Sequence, residues 1–420
     1  MRVYGYVDEI RDLGGIKFFK LNTPNGYIQI TINKKDINQQ LLKKFETLTR
    51  QSCISVTGKE NKNEKAPGGI EIFPTQLEIF SIAHSPLPLD PSGKTPAELD
   101  TRLDWRSLDL RSPKNRAIFK IQSKIIQGMT EYLNKKGFTQ VFTPCILGAA
   151  SEGGSEVFPV AYFEKEAFLR QDPQLHRELT ILGGIEKIFD LGPSWRAEQS
   201  HTTRHLCEHR ACAVELSYIK NEFDIMKVEE ELVYAAMKKV KQDCEKELDI
   251  LKTDIELPKL PFPVLEFPNV YDILEEYGKK IPYGEDYDRE SEVLLAKYVK
   301  EKYDSDFFFV NRFPFAVKPF YVMKIDETPE WARSVDLVYK GIEQSSGGQR
   351  EHRYDKLVEQ VKEKKISLDS VEWFIKFFKY GAPTLGGFAI GIERFTMQML
   401  DIKNVRESVL FPRTPERLLP

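Results

Sequence analysis

One segment restricts the fold of this chain more than any other. Residues 195–208, WRAEQSHTTRHLCE, place a polar, turn-prone centre between two apolar runs. The preceding run covers residues 185–191, and the following one contains Glu215, a carboxylate in an otherwise buried pattern. This pattern predicts two strands joined by a loop, because apolar strands pack into a sheet while a polar connection stays at its surface.

The same loop predicts an anion site. Arg196, Arg204 and His205 lie within it, and arginine presents a planar, permanently charged fork that suits phosphate oxygens. The carboxylates Glu198 and Glu208 would be unfavourable in a site that binds only an anion. Their presence predicts a ligand that also carries donors, such as an amine, or that brings a metal ion.

The composition limits the class of protein. The 420 residues suffice for two domains or one large one, and 41% hydrophobic with 30% charged residues is ordinary for a soluble globular chain. A net charge of -3 gives no global nucleic-acid signature, so RNA contacts must come from a local basic face. The five cysteines form no CxxC pair, which favours a cytoplasmic protein with reduced thiols. No segment predicts a leader peptide or a membrane span.

Residues 1–85 form a separate unit of short β-type runs divided by Gly and Pro turns. A helical stretch at 37–48 lies between the third and fourth runs. This order predicts a five-stranded OB-fold barrel, with a generic small β-domain as the alternative. The runs cover residues 3–7, 16–21, 27–32, 54–57 and 70–73.

The rest of the chain predicts a linker and a larger domain. Residues 86–112 are Pro-rich and then charged, which is typical of a linker. Residues 113–420 open with an amphipathic helix whose apolar face runs from Ile118 to Leu133. The Lys- and Glu-rich stretch 224–248 predicts a helix on a solvated flank. Strands and helices do not alternate regularly, so we expect an α+β domain with an antiparallel sheet.

Two more segments carry a signal: 341–350, GIEQSSGGQR, and 386–394, GGFAIGIER. Each is weak alone, because glycine-rich turns before helices are often packing turns. Together with 195–208, and in this order, they resemble the motifs of class II aminoacyl-tRNA synthetases, and Pro144 matches the first motif of that class, which builds its dimer.

The similarity extends along essentially the whole chain. Segments such as LPLDPSGKTPAELDTRLDWR, SEGGSEVFPVAYFE and SSGGQREHRYDKLVEQ resemble archaeal-type aspartyl-tRNA synthetases and their bacterial non-discriminating relatives. The tail FPRTPERLLP is more similar to the sister asparaginyl enzymes.

The resemblance implies ATP-dependent activation of aspartate and its transfer to tRNA-Asp, with tRNA-Asn left open as a second acceptor. Arg196 and Arg394 would act on the phosphates, and Glu343 with Ser346 would hold Mg²⁺, whose preferred ligands are oxygens. The implied ATP-binding residues are Arg196, Glu198, Arg204, His205, Glu208, Glu343, Ser346 and Arg394.

The resemblance also implies two further sets of contacts and a homodimer. The amino acid would be bound by Glu152, Gln174, Arg177 and Arg350. Arg350 matches the arginine that grips the substrate's side-chain carboxylate, and a bidentate arginine favours Asp over Asn. The tRNA anticodon would contact Arg11, Phe18 and Gln29 of the OB-fold. Phe18 and Phe19 face opposite ways in a strand, so one of them is expected in the core.

The chain departs from the family pattern around the amino acid and the adenine. Asp172 replaces a serine, Arg177 a lysine, Ala213 an aspartate, His209 the aromatic cover of adenine and Leu385 a histidine. The lost lysine and the lost aspartate form a cation and its orienting carboxylate in the family. Their joint change predicts one coupled replacement.

Three functions remain open at this point. The first is a diverged aspartyl-tRNA synthetase in which Arg177 and His209 keep the old roles, although arginine differs from lysine in reach. The second is a paralogue that activates another amino acid or uses another acceptor. The third is a tRNA-binding protein without catalysis, which would be expected to have lost the phosphate arginines. Because the ATP and anticodon positions are retained while only the amino-acid pocket differs, we favour the first.

Overall fold

The computed structural model describes residues 1–148, 156–197 and 202–420. The chain divides into two compact units, one of residues 1–116 with Pro420 and one of residues 117–419.

The first unit is built on a closed barrel. Its elements are β1 (Arg2–Asp12), β2 (Ile16–Thr23), β3 (Gly26–Asn33), α1 (Gln39–Glu46), β4 (Cys53–Lys62), β5 (Ile70–Ser81), α2 (Leu99–Asp104) and α3 (Arg106–Asp109). The strands close in the order β1-β2-β3-β5-β4, so the predicted OB-fold is confirmed. Its one long helix, α1, begins after Asn38, whose side chain accepts a hydrogen bond from the backbone of Gln40 at 2.8 Å and so caps the first turn.

The segment predicted as a linker contains the two short helices α2 and α3. Its charges pair with one another: Asp109 binds Arg106 at 2.6 Å and Arg102 at 2.9 Å. Arg106 is buried to 1% exposure, and a buried cation needs such a partner. The charged residues therefore fold this segment locally instead of leaving it extended in solvent.

The second unit is built on an eight-stranded sheet. The strands are β6 (Thr139–Gln140), β7 (Ile146–Leu147), β8 (Pro159–Tyr162), β9 (Lys165–Leu169), β10 (Lys187–Trp195), β11 (Glu208–Ser217), β12 (Val264–Glu266), β13 (Phe307–Asn311), β14 (Lys324–Ile325), β15 (Thr328–Ala332), β16 (Ser334–Tyr339), β17 (Ile342–Arg350) and β18 (Leu385–Gly391). Eight of these strands form the main sheet, in the order β12-β13-β16-β17-β18-β11-β10-β6, while β7, β9 and β8 form a three-stranded sheet and β14 and β15 a two-stranded one. All pairings from β13 to β10 are antiparallel, and β12 and β6 add parallel pairs at the edges.

The helices flank this sheet. They are α4 (Pro113–Lys135), α5 (Gln174–Leu182), α6 (Glu222–Asp243), α7 (Glu245–Leu251), α8 (Asn269–Glu276), α9 (Arg289–Tyr303), α10 (Tyr354–Glu363), α11 (Leu368–Ile375) and α12 (Ile392–Met399). Among the described residues, no helix combines the length and the apolar character that a membrane span requires.

The prediction that residues 224–248 form a solvated flank was wrong. The stretch is helical, as α6 and α7, but Leu232, Val233 and Ala236 of α6 are fully buried in the main core of this unit. The lysines and glutamates cover only part of the helix, and an apolar stripe at helical spacing packs under the sheet. The high content of Lys and Glu predicted the exposed face of the helix but gave no indication of its buried face.

Candidate active site

A cavity of about 290 Å³ lies over one face of the sheet. The alternation along β18 explains its floor, because Ala389 and Gly391 line the cavity while Ile390 between them belongs to the core. Short side chains in the middle of the sheet leave room above it. Polar residues from β11, β17 and α12 surround this space.

We call Asp172, Gln174 and Arg350 the buried end of the cavity. The Nε and Nη2 atoms of Arg350 donate to the two carboxylate oxygens of Glu215, at 3.0 and 3.3 Å. Arg350 is 5% exposed and Glu215 0%. Burial opposes the charge of Arg350, but Glu215 outweighs it and raises the guanidinium pKa. The buried carboxylate expected in the strand after 195–208 therefore holds the arginine in place.

Gly387 of β18 makes this ion pair sterically possible. A Cβ at this position would lie 2.0 Å from the carbonyl oxygen of Val214 and 2.3 Å from Oε2 of Glu215. Because real Cβ atoms do not approach so closely, any side chain here would displace the carboxylate. The carbonyl of Gly387 also accepts a hydrogen bond from Nη2 of Arg350 at 3.1 Å.

A second buried ion pair joins Arg177 and Asp172. Nη2 of Arg177 donates to both Asp172 oxygens, at 2.6 and 2.7 Å, and to Oε1 of Gln174 at 2.9 Å. Gln174 in turn donates to Glu215 at 3.0 Å, so both ion pairs belong to one network. The carboxylate partner of Arg177 therefore comes from position 172 and not from position 213.

The strand register explains how Ala213 is tolerated. Ala213 lies directly opposite Asp190 on β10, and Asp190 is 3% exposed and pairs with Arg170 at 3.3 Å. A second carboxylate at 213 would face Asp190 across the strand pair, which is unfavourable for like charges. With alanine at 213, the carboxylate partner of Arg177 is Asp172, so the predicted coupled replacement would include that residue as well.

We call Arg196, Arg204, His205 and Arg394 the arginine-rich end of the cavity. Arg394 lies in the first turn of α12, and its Nη1 donates to the carbonyl of Glu343 at 3.0 Å and contacts Oε1 of Glu343 at 3.4 Å. Arg204 contacts Glu292 at 3.4 Å. The structure therefore brings these predicted residues into one cavity, where they form a positive surface fitted to an anion.

His209 lies between the two ends of the cavity. Burial, together with the nearby charges of Arg196 and Arg394, lowers the pKa of its imidazole to about 4. The ring is therefore neutral at pH 7. A neutral, flat ring in this position can stack on a planar base without adding charge.

Asp336 is a buried carboxylate next to the cavity wall for which the sequence analysis predicted no role. It lies on β16 directly opposite Ser346 of β17, and its Oδ2 is 3.3 Å from Nζ of Lys318. Burial raises the pKa of Asp336 to about 6, against the effect of Lys318. The available signal was a single carboxylate in the otherwise apolar strand SVDLVY.

Asp336, Glu343 and Ser346 carry oxygen donors, which are the kind that a hard divalent cation prefers. Glu343 and Ser346 line the cavity, and Oδ1 of Asp336 is buried without a hydrogen-bond partner among the described residues. The described part of the chain contains no cluster of three or more His, Cys, Asp or Glu side chains that could hold a metal ion. Mg²⁺ does not need one, since it commonly binds one or two carboxylates together with substrate phosphates and water.

Comparison with known proteins identifies the family. The sequence model described as "tRNA synthetases class II (D, K and N)" matches residues 98–415, and "OB-fold nucleic acid binding domain" matches residues 1–80. The chain belongs to the class II tRNA synthetases.

Relatives of this synthetase match it over its full length. The aspartate–tRNA(Asp) ligase of Pyrococcus horikoshii is 46% identical over 420 residues, which are 100% of this chain and 96% of the relative. The aspartate–tRNA(Asp/Asn) ligase of Archaeoglobus fulgidus is 43% identical over 100% of this chain and 96% of its own. The solved asparaginyl-tRNA synthetase from Pyrococcus horikoshii, complexed with asparaginyl-adenylate, superposes with a TM-score of 0.92 at 32% identity over 100% of this chain and 96% of that one.

Three of the residues assigned to the ATP and amino-acid sites of this synthetase need separate comment. Glu152 and Glu198 lie outside the described residues. Glu208 is described, but it lies opposite Trp195 at the start of β11 and pairs with Arg210 at 3.0 Å. Glu208 does not line the cavity as the described residues delimit it.

The three predicted anticodon residues lie together on the outer surface of the barrel. Arg11 of β1 is directly opposite Phe18 of β2, and Gln29 of β3 is opposite Lys20 of β2. Phe18 is half-buried, whereas Phe19 is fully buried in the barrel, so the expected alternation is confirmed. The barrel thus presents an aromatic ring, a guanidinium and an amide on one side.

Proposed function

We propose that this synthetase activates aspartate with ATP to form aspartyl-adenylate and transfers the aspartyl group to the 3′ end of tRNA-Asp. One observation carries this proposal: Arg350 is a fixed, buried cation that lines the same cavity as Arg196, Arg204 and Arg394. Such a cavity accommodates a small dicarboxylate next to a polyphosphate. The relatives named as aspartate–tRNA ligases support the same substrate.

The chemistry follows from positioning and charge. An oxygen of the α-carboxylate forms a bond to the α-phosphorus while the bond to the pyrophosphate oxygen breaks. Negative charge grows on the phosphoryl oxygens, and preorganised cations stabilise it. Arg196 would hold the α-phosphate and the carboxylate, while Arg394, with Arg204 and His205, would hold the γ-phosphate.

The second step needs no nucleophile from the protein. A hydroxyl of the 3′-terminal ribose of tRNA attacks the carbonyl carbon of the adenylate, and AMP leaves. Holding the two substrates in line supplies the rate. In both steps the neutral ring of His209 would cover the adenine, in place of the aromatic side chain that the family pattern has there.

Mg²⁺ would be held by Glu343 and Ser346, with Asp336 beside them. When bound it would neutralise part of the phosphate charge. The cation of Arg394 is placed by Glu343, so the same carboxylate would orient the phosphate-binding arginine and the metal ion.

The partners of the synthetase are proposed from its family. tRNA would bind through the barrel surface of Arg11, Phe18 and Gln29. A homodimer is proposed because Pro144 matches the dimer-building motif of the class, and sedimentation of the purified chain would measure it. Aminoacylation of tRNA-Asn beside tRNA-Asp would test whether both are acceptors.

A second candidate function has one observation in its favour. The carboxylate of Asp172 lines the cavity where the family pattern has a serine, which would suit an amino acid other than aspartate. ATP–pyrophosphate exchange with each amino acid in turn distinguishes the two functions. We expect exchange with aspartate. Exchange with another amino acid, together with no exchange with aspartate, would reject the first function.

The Phe18→Ala variant tests the tRNA surface. Loss of one stacked ring is expected to lower kcat/KM for tRNA about tenfold, since stacking contributes about 1–3 kcal/mol per base, while aspartate-dependent exchange stays at the wild-type rate. The matched control is Phe80→Ala. This ring of the barrel is 54% exposed and lies near the end of β5, whereas Gln29 pairs with Glu71 near its start. Equal losses in both assays for Phe18→Ala would mean that the ring only supports the barrel.

A further inference from the structure

Asp172 lies in the wall of the cavity, and Arg177 lies behind Asp172. The Asp172 side chain is 26% exposed and lines the cavity, whereas the Arg177 side chain is 3% exposed and does not appear in the cavity wall. Asp172 binds Nη2 of Arg177 through both oxygens. A substrate in the cavity therefore meets the carboxylate of Asp172 before it can meet the cation of Arg177.

Arg350 and the neighbouring Arg177 differ in which of their hydrogen-bond donors can still reach a ligand. Arg350 uses Nε and Nη2 for Glu215 and Gly387, while its Nη1 makes no hydrogen bond with any residue that the structure describes. In Arg177, Nη2 already has three acceptor contacts, two from Asp172 and one from Gln174. Nε of Arg177 has no hydrogen-bond partner among the described residues either, but it is buried and Arg177 is absent from the cavity wall. Of these two arginines, Arg350 is therefore the one with a donor available to a ligand in the cavity.

The charges at this end are otherwise compensated. Arg350 is paired with Glu215 and Arg177 with Asp172. Glu178, which lies beside them and accepts from Gln174 at 3.0 Å, is fully buried. Burial raises the pKa of Glu178 and so favours its neutral form. The buried end therefore carries no excess positive charge for an acidic side chain.

We infer that Asp172 is a specificity-determining residue that covers Arg177, so that the side chain of the amino acid is recognised by Arg350 together with a carboxylate. This inference rests on the proposed function, since it concerns how the same site selects its amino acid. A side-chain carboxylate gains the Arg350 contact but is repelled by Asp172. A side-chain amide offers its oxygen to Arg350 and its NH₂ group to Asp172. The residue thus narrows the preference for aspartate over asparagine.

The test measures ATP–pyrophosphate exchange by the full chain at pH 7, with aspartate as substrate and asparagine as competitor. In the wild type we expect asparagine to inhibit, with a Ki within about a hundredfold of the KM for aspartate, because a charge-assisted hydrogen bond contributes about 1.5–3 kcal/mol. Absence of inhibition at an excess of asparagine well beyond that range would overturn the inference without any variant.

Asp172→Ser and Asp172→Asn then isolate the carboxylate. Either change removes the repulsion and leaves the positive charge of Arg177 without its counter-charge, so the ratio of Ki for asparagine to KM for aspartate should rise by about tenfold or more. KM for aspartate should fall by more than kcat changes, and KM for ATP should stay constant. Asp172→Asn retains an acceptor for Arg177 and covers the case in which Asp172→Ser does not fold. A folded variant with the wild-type ratio would overturn the inference.

Glu186→Ser is the matched control. It removes one carboxylate that lies near α5 on the exposed surface and outside the cavity, and it should leave both constants at their wild-type values. Thermal unfolding of every variant separates folding from binding. If wild-type exchange fails with aspartate, the proposed function is rejected. If aspartate is activated but the ratio does not respond to Asp172, only this inference is rejected.

Discussion

Arg394→Ala is expected to slow aspartate-dependent ATP–pyrophosphate exchange by at least about a hundredfold, the size of effect found when a preorganised charge contact in a transition state is removed. Arg394 lies in the first turn of α12 and is oriented by two contacts with Glu343. Its removal leaves Glu343 partly exposed to water, since that side chain is already 38% exposed. The fold should therefore persist while the γ-phosphate loses its cation.

Two variants make the Arg394 result specific. Arg394→Lys keeps the charge but loses the planar fork, so its activity should lie between those of the wild type and Arg394→Ala. Lys403→Ala removes an exposed cation soon after the same helix and should be fully active. A rate of exchange near the wild type in Arg394→Ala would contradict the assignment of this end of the cavity to ATP.

Arg350→Lys is expected to raise the KM for aspartate about a hundredfold and to leave the KM for ATP unchanged. Lysine keeps the charge, but it cannot bind Glu215 through two nitrogens and also reach a substrate carboxylate, because it offers one point charge where arginine offers a fork. Exchange kinetics with each substrate varied in turn measure both constants. The decisive result is a higher KM for aspartate with an unchanged KM for ATP.

The larger change, Arg350→Ala, would alter the stability of the fold as well as the binding of aspartate. Arg350→Ala would leave Glu215 buried and unpaired, and breaking a buried ion pair in this way costs about 3–5 kcal/mol of folding free energy. Arg350→Lys is therefore the informative change, with Lys356→Ala as the control, because that side chain is 53% exposed and its ion-pair partner is Glu359. An equal rise in both Michaelis constants would contradict a role confined to the amino acid.

Local pattern was sufficient for most of the fold. The barrel strands and α1 were predictable because turn residues and alternating apolar positions mark them directly. The strand, loop and strand around 195–208 appeared as β10 and β11, which pair Trp195 with Glu208 at the mouth of the loop. Composition was a poor guide for α6, since its many charges hid a buried stripe that only helical spacing reveals.

The sequence by itself determined the elements, their order and most of the charged groups that meet in the cavity, because motif residues and periodicity are local properties of the chain. Only the tertiary structure decided which charges become partners. Asp172 binds Arg177 across the start of α5, Asp336 lies opposite Ser346 through the register of two adjacent strands, and Gly387 leaves the space in which Glu215 holds Arg350. The last arrangement joins segments far apart in the chain, and all three depend on side-chain direction, strand register and burial, which a local pattern does not contain.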